Sequence, residues 1–510
     1  MAPTRPHRQA GPPAAPAPHS GTQHTAPAPA SDGAVRRTAP AEASVGAVRH
    51  ASSVQAPGSV VQHEAPARAS DGVAAAPAPD GAVRHVVSAE ASDGAAQYAA
   101  RLAVLLGDVR DPANPYGRAV LWAGGYEDLP AAPAGLPGPG DLPGADRLAR
   151  ALGPLFRRDL ALAHAWSIGP LTGAPVPHPV ADLLGPAALL AAAGAVLRGV
   201  TRIVEGLSRY EAAARQWRPV LAAVFADLLA CQSLTDAALR ACPAPSRDGA
   251  PAPSPYRPDA NDGGGELLAA AVGYLVPQLA VELLGDLELV LNECGFDGHT
   301  VERRTLARTV RDRALAGAGP AATGAAQARI VRGLNATGGP DRHESTPPPP
   351  DRHEITPPLP APPHGTAAAP GPGIDANANA NAEAEAEADA DALARIGRRL
   401  AAERRALRGA WAVTAGHDLA DPAVRALADR QALLVLADRT TAAREAAARA
   451  REPFLGSTGW VLLALGRITV RLGLALPARM PDAQPGVWDE LARRAAHSAD
   501  GDLYAARPAW

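Results

Sequence analysis

Two histidines are the residues of this sequence whose type and spacing first suggest chemistry. His343 and His353 occupy the same position in the near-duplicate segments DRHESTPPPP and DRHEITPPLP. Imidazoles bind metal ions, but zinc sites usually need four ligands and are often completed by cysteine. No cysteine lies near this pair. Two interpretations therefore remain open, a metal-binding pair and a solvated linker.

The cysteines and the glycine run are the other chemical candidates. Cys231, Cys242 and Cys294 form no CxxC pair and are too few for a disulfide framework, which indicates a reducing compartment. The glycines at 263–265 lack both the preceding strand and the spacing of a dinucleotide-binding loop. They predict a linker before the next helix rather than a phosphate cradle.

The net charge and the hydropathy of the chain limit the kinds of partner that we expect it to bind. The chain has 49 basic and 52 acidic side chains and a net charge of -3, and it contains no lysine. This balance argues against a nucleic-acid or anionic-membrane footprint. The longest apolar run, at 183–197, is shorter than a membrane span, and the proline-rich N-terminus lacks the apolar core of a signal peptide. We therefore expect a soluble cytoplasmic protein with no nucleic acid and no membrane as partner.

Two regions have the composition of disordered chain. Residues 1–95 are mostly small or polar and repeat a short unit, as in SDGAVRR and PDGAVRH. They offer too little apolar surface to offset chain entropy. Residues 335–390 combine proline-rich repeats with ANANANAEAEAEADADA. We predict a disordered tail and a disordered linker, respectively.

The rest of the chain has the period of α-helices. In 218–241 the apolar residues recur as one wide stripe, and a longer stripe covers 266–293, where Pro277 is expected to cause a kink. The segments 427–450 and 460–472 repeat the pattern. Strand-like alternation is absent. The predicted fold class is all-α, with antiparallel helices packed as bundles.

Several segments resemble the acyl-CoA dehydrogenase family, in particular its actinobacterial members. Those similar to the family's N-terminal helical domain are LGDVRDPANP (106–115), YEDLP (126–130) and RRDLALAH (157–164). Those similar to its C-terminal domain are 218–241, 272–287 and RTVRDRALAGAGPAATGAAQARIV (308–331). Those similar to a C-terminal extension are 427–447, 452–465 and GDLYAA (501–506).

The resemblance implies helical bundles like the family's N- and C-terminal domains, without its central β-domain. It divides the chain into a tail (1–95), an N-terminal helical segment (96–180), a C-terminal-like helical domain (181–334), the linker (335–390) and a helical extension (391–510). It also implies FAD as cofactor, oxidation of the CH–CH group of an acyl thioester on coenzyme A or a carrier protein, and a homo-oligomer.

The resemblance assigns roles in the segment 308–331. Arg311 and Asp312 match an Arg-Asp pair that precedes the family's active-site turn, and Thr323 and Gln327 match its later Thr and Gln. The catalytic glutamate would then fall on Ala321. Thr323 is the cofactor-binding candidate, because the corresponding hydroxyl approaches the flavin. The alternative for Thr323 is a hydroxyl that satisfies its own turn.

Each of several other positions has two possible roles. Some relatives hold the base on an earlier helix, where the only acid of 181–194 is Asp182, and a helix N-cap is the simpler role for it. Three arginines could replace the family's contact to flavin pyrophosphate or could form a solvated helix face: Arg209, Arg215 and Arg218. His164 and Trp166 suggest either a flavin wall or partly buried core.

Two functional classes follow. One is a flavin-dependent acyl-CoA dehydrogenase whose catalytic site is degenerate, with no catalytic residue assigned. The other is a non-catalytic helical interaction or oligomerisation protein derived from that family.

Overall fold

The protein is described here from a computed structural model. The residues it describes are 94–138, 141–142, 144–173, 180–242, 263–295, 300–337, 375–414 and 421–497. His343 and His353, GDLYAA at 501–506 and nearly all of the tail 1–95 lie outside these ranges.

The described residues form α-helices and no β-strand, so the all-α prediction is confirmed. The helices are α1 (Gly94–Leu106), α2 (Arg118–Ala123), α3 (Ala145–Arg158), α4 (Leu160–Ala163), α5 (Gly169–Thr172), α6 (Ala181–Leu207), α7 (Arg218–Ala241), α8 (Gly263–Glu293), α9 (Val301–Asp312), α10 (Pro320–Thr337), α11 (Asp375–Thr414), α12 (Pro422–Arg449), α13 (Gly459–Arg471) and α14 (Gln484–Ala496).

Helix α7 is the centre of the fold. It packs against α6, α8, α12, α13 and α14, and it is buried on nearly every face from Leu221 to Leu239. A helix that is apolar all round must be covered by others. The surrounding helices provide that cover, and they bring α13 and α14 against a helix more than 200 residues earlier in the chain.

The local sequence of helix α3 explains where this helix ends. Its apolar residues lie on one face, Asp146 is in the first turn, and Arg157 and Arg158 are in the last turn, which suits the helix dipole. The helix ends at Asp159, whose extended backbone begins α4 and whose carboxylate accepts a 2.9 Å hydrogen bond from the Leu162 amide.

Helices α12, α13 and α14 complete the core around α7, which lies before the expected boundary at 391. The division of the chain at 181 and 391 stays a prediction. A stacked pair of rings, Phe225 of α7 and Phe454, lies with centroids 5.9 Å apart beneath the guanidinium of Arg494.

The predicted linker 335–390 overlaps the start of helix α11. Residues 375–390 belong to α11, and the preceding residues 338–374 lie outside the described ranges. The reason is composition: after Gly373 the segment contains neither proline nor glycine up to Gly397, and in 375–390 every second residue is alanine. Alanine is the strongest helix former. The glycines at 263–265, expected in a linker, are likewise the first residues of α8.

By length and composition, three helices in the described part of the chain could cross a membrane: Ala181–Leu207, Ala212–Ala241 and Gly264–Glu293. The expectation that no segment reaches that length is therefore wrong, because these helices continue beyond the uninterrupted apolar run. In the protein they pack against each other, and 72%, 89% and 56% of their most apolar windows are buried.

Candidate functional site

The segment that resembles a dehydrogenase active-site turn packs directly against α6. It forms a short 3₁₀ turn, Arg313–Ala316, and then α10. A Cβ atom built on Gly185 of α6 would lie 2.6 Å from the carbonyl oxygen of Ala316. Glycine is therefore required at position 185 for this backbone approach, which leaves no gap between the turn and α6 at that point.

Thr323 turns towards its own helix. Its hydroxyl donates to the carbonyl oxygens of Gly319 and Pro320, at 3.3 and 3.0 Å. These are the bonds of a threonine in the first turn of a helix. The self-satisfying interpretation of Thr323 fits this geometry better than the cofactor-binding one.

Gln327 takes part in a contact between three helices. Its side-chain amide donates to Oδ1 of Asp429 on α12 at 2.7 Å and lies 3.4 Å from the Tyr274 hydroxyl of α8, which also donates to Asp429. Burial, together with the hydrogen bond to Asp429, raises the pKa of Tyr274 to about 12. We call these three residues the Tyr274 cluster; it links α8, α10 and α12.

The Tyr274 cluster predicts an alkaline loss of stability. The raised pKa means that the folded state favours the neutral phenol, so its contribution is present below about pH 10 and is lost as the pH rises towards 12. Urea unfolding between pH 9 and 12 should show this loss. Tyr274→Phe should flatten that part of the profile and cost about 1 kcal/mol at pH 8. A profile unchanged by the substitution would contradict the prediction.

The two acids near this segment are paired. Asp182 lies in the first turn of α6 after the N-cap residue Val180, so it is not the N-cap, and its carboxylate contacts Arg329 of α10 at 3.1 Å. Asp312 is bound by its neighbour Arg311, with Nε to Oδ1 at 2.6 Å. Ala321, at the position of the base, is exposed.

The arginines proposed for a pyrophosphate contact make separate contacts instead of forming one site. Arg215 donates to the carbonyl of Ser208 at 3.2 Å. Arg218 pairs with Glu205 at 3.3 Å and lies over the ring of Trp488. Arg209 is exposed. Arg215 and Arg218 therefore stabilise local packing, and their guanidinium groups do not converge on one point.

His164 and Trp166 lie in a π-helical turn, His164–Ile168, between α4 and α5. Trp166 is buried and donates to the carbonyl of Pro130 at 2.7 Å, with Tyr116 edge-on to its ring. His164 is half-buried, and its Nδ1 lies 2.6 Å from the Tyr126 hydroxyl. Burial lowers the pKa of His164. These positions match the partly buried core interpretation.

Taken together, these residues do not fit a flavin. Thr323 bonds to its own helix, Gln327 belongs to the Tyr274 cluster, and Arg215 and Arg218 are engaged elsewhere. Among the described residues there is also no group of three or more His, Cys, Asp or Glu that could hold a metal ion.

A larger concave site than these contacts leave lies elsewhere, between α13 and the segment that follows it. This groove has a volume of about 560 Å³, within the range of ligand and partner pockets. We call it the α13 groove. Its apolar lining is Leu462, Leu463, Val470, Leu476, Met480, Pro481 and Ala483. Gly466 also lines the groove.

A network of five charges bounds one side of the α13 groove. Asp227 of α7, only 2% exposed, accepts from Arg467 at 2.7 Å and from Arg471 at 2.8 Å. Arg471 also binds Glu282 of α8 at 2.8 Å, and Arg467 lies 4.0 Å from Asp286. Burial raises the pKa of Asp286, with Arg467 opposing and Asp227 reinforcing the effect.

Sequence reasoning missed this network. The signals were an aspartate, Asp227, between apolar residues of α7 and two arginines one helical turn apart in the apolar α13. Neither signal identifies its partner. Comparison with known proteins assigns no family to the chain: no family model, no curated protein and no solved structure matches it.

Proposed function

We propose that this protein is a non-catalytic helical interaction protein that associates with a second copy of itself. The α13 groove carries the proposal, because it is an open apolar site beside an exposed apolar helix face. The alternative, a flavin-dependent acyl-CoA dehydrogenase acting on thioesters of coenzyme A or a carrier protein, rests on sequence resemblance alone.

The exposed face of α8 supplies the second half of the interface. Val281 and Leu289 are 39% and 47% exposed, and between them Gly285 has open space around its α-carbon. Val281 adjoins Glu282, which lines the α13 groove. Val470 and Leu476 at the groove are 58% and 40% exposed. A convex ridge thus lies next to a concave groove.

This arrangement suits a symmetric dimer. A two-fold interface uses the same patch on both subunits and must therefore be self-complementary. A ridge beside a groove meets that requirement, since each copy can present its ridge to the groove of the other. Apolar surface of this kind, rimmed by charge, is typical of interaction sites.

The same packing supports a soluble, cytoplasmic location as part of the proposal. Helices α6, α7 and α8 contact each other and are further covered by α3, α10, α12 and α14. Their apolar surface is largely satisfied inside the protein. Recovery of the full chain from the soluble fraction without detergent tests this point.

The variant Val470→Asp tests self-association. A carboxylate placed in an apolar interface loses much of its hydration, so we expect dimer dissociation to become at least about tenfold easier. Light scattering over a micromolar concentration series measures it. Val104→Asp is the matched control, because Val104 is 81% exposed on α1, away from the groove, and should leave association unchanged.

Two results would overturn the proposal. If the wild-type protein stays monomeric at micromolar concentration, it does not associate with itself and the proposal is wrong. Stoichiometric FAD in the purified protein, with bleaching and turnover on an acyl-CoA, would establish the dehydrogenase instead. Asp182 would then be the first carboxylate to substitute.

A further inference from the structure

The α13 groove lies within reach of a stretch of chain outside the described ranges, residues 498–510. Gln484, the first residue of α14, lines the groove, and α14 ends at Ala496. The 13 residues of this helix rise by about 18 Å. An extended chain advances by about 3.3 Å per residue, so about six residues that turn back along α14 are enough to return to the groove. The residues from Leu503 onwards can therefore reach it.

Residues 503–510, with the sequence LYAARPAW, have the composition of a binding segment. Three longer stretches also lie outside the described ranges: 1–93, 243–262 and 338–374. Together they contain one Phe, Trp or Tyr, whereas segment 503–510 alone contains Tyr504 and Trp510. Aromatic side chains bring a large apolar area to a contact and are the usual anchors of an interface. Segment 503–510 is therefore the part of the undescribed chain best suited to an apolar groove.

The charges of the α13 groove favour a segment with a basic residue. The two arginines that line the groove are both bound to the buried Asp227, so neither needs an acidic partner. Asp482, also on the lining, is exposed and makes no ion pair within the described part of the chain. Segment 503–510 has one charged side chain, Arg507. The segment and the groove are therefore complementary in charge as well as in apolar character.

We propose that segment 503–510 docks in the α13 groove of its own chain and competes there with a second copy of the protein. Tyr504 and Trp510 fill the apolar part of the groove, and Arg507 lies beside Asp482. A segment tethered a few residues from α14 has an effective concentration in the millimolar range, so it reaches its own groove before the groove of another copy at micromolar concentration. The competition rests on the proposed self-association, whereas the docking does not.

The competition has a calculable effect on the dimer. A symmetric dimer needs the groove of both copies to be free. If segment 503–510 covers about two-thirds of the grooves, each copy is competent about one-third of the time, and the apparent dissociation constant of the dimer rises about ninefold.

The full chain with Tyr504→Ser and Trp510→Ser tests the competition. We expect light scattering over a micromolar concentration series to show a dimer about ninefold tighter than that of the wild type. Tyr256→Ser is the matched control, because it makes the same change in another stretch outside the described ranges. This variant should associate as the wild type does.

Hydrogen–deuterium exchange at nanomolar concentration tests the docking by itself, because a dimer that forms at micromolar concentration is dissociated at this dilution. The backbone of 474–483, which forms one wall of the groove, should exchange at least about threefold faster in the double variant than in the wild type.

Unchanged exchange in the double variant overturns the docking. Weaker association of the double variant also overturns it, because segment 503–510 would then support the dimer instead of opposing it. Faster exchange with no dimer in either protein supports the docking and contradicts the self-association alone.

Discussion

Replacement of Arg308 with alanine will lower the free energy of unfolding by about 3 to 5 kcal/mol. Arg308 is 7% exposed and donates to the buried carboxylate of Asp159 and to the carbonyl of Leu121. It thereby joins α9 to α2 and to the junction of α3 and α4. Its removal leaves Asp159 as a buried charge without its main partner, which accounts for most of the expected loss.

The measurement is urea unfolding of the wild type and of two arginine variants of α9. Arg311→Ala is the matched control, because its side chain is 62% exposed and its partner Asp312 keeps a second contact, with Arg308 at 3.6 Å. That variant should lose about 1 kcal/mol or less. Equal losses for both variants would contradict the assignment of Arg308 as the buried anchor.

The variant Asp227→Asn will lower the free energy of unfolding by about 3 kcal/mol. The amide keeps the shape of the aspartate but removes the charge that Arg467 and Arg471 share. Both arginines are partly exposed and recover some hydration, so the loss should be at the lower end of the range for buried pairs. Far-ultraviolet circular dichroism will confirm that the variant keeps its helices.

Glu282→Gln is the control for Asp227→Asn. Glu282 binds the same Arg471, but its side chain is 55% exposed. We expect a loss below about 1 kcal/mol. If Glu282→Gln costs as much as Asp227→Asn, burial is not what gives the network its strength.

Sequence alone could predict the helices because their signals are local. The apolar stripe of 218–241 corresponds to α7, and 266–293 and 460–472 differ from α8 and α13 by at most three residues at each end. Each boundary depends on neighbours within a few positions. The start of α11 was missed because a sequence in which Ala alternates with Asn, Glu and Asp was interpreted by its low complexity rather than by the helix propensity of its alanines.

Side-chain partners could not be predicted, because they depend on contacts between distant elements. Arg308 and Asp159 are 149 positions apart, and Arg467 and Asp227 are 240 apart. The same holds for Gln327, whose side-chain amide donates to Asp429, a residue 102 positions later in the chain. A motif at 308–331 fixes residue types, but the direction of each side chain follows from packing around α7.

The distance between Asp227 and its partners has a consequence for synthesis of the protein. A ribosome adding about 5 to 20 residues per second needs roughly 10 to 50 s to proceed from Asp227 to Arg467. During that time α6, α7 and α8 exist without α13 and α14, so their apolar surfaces are uncovered and the carboxylate of Asp227 has no counter-charge. The nascent chain must therefore be protected from aggregation until its last helices emerge, and its folding in the cell will depend on chaperones more than the stability of the finished protein implies.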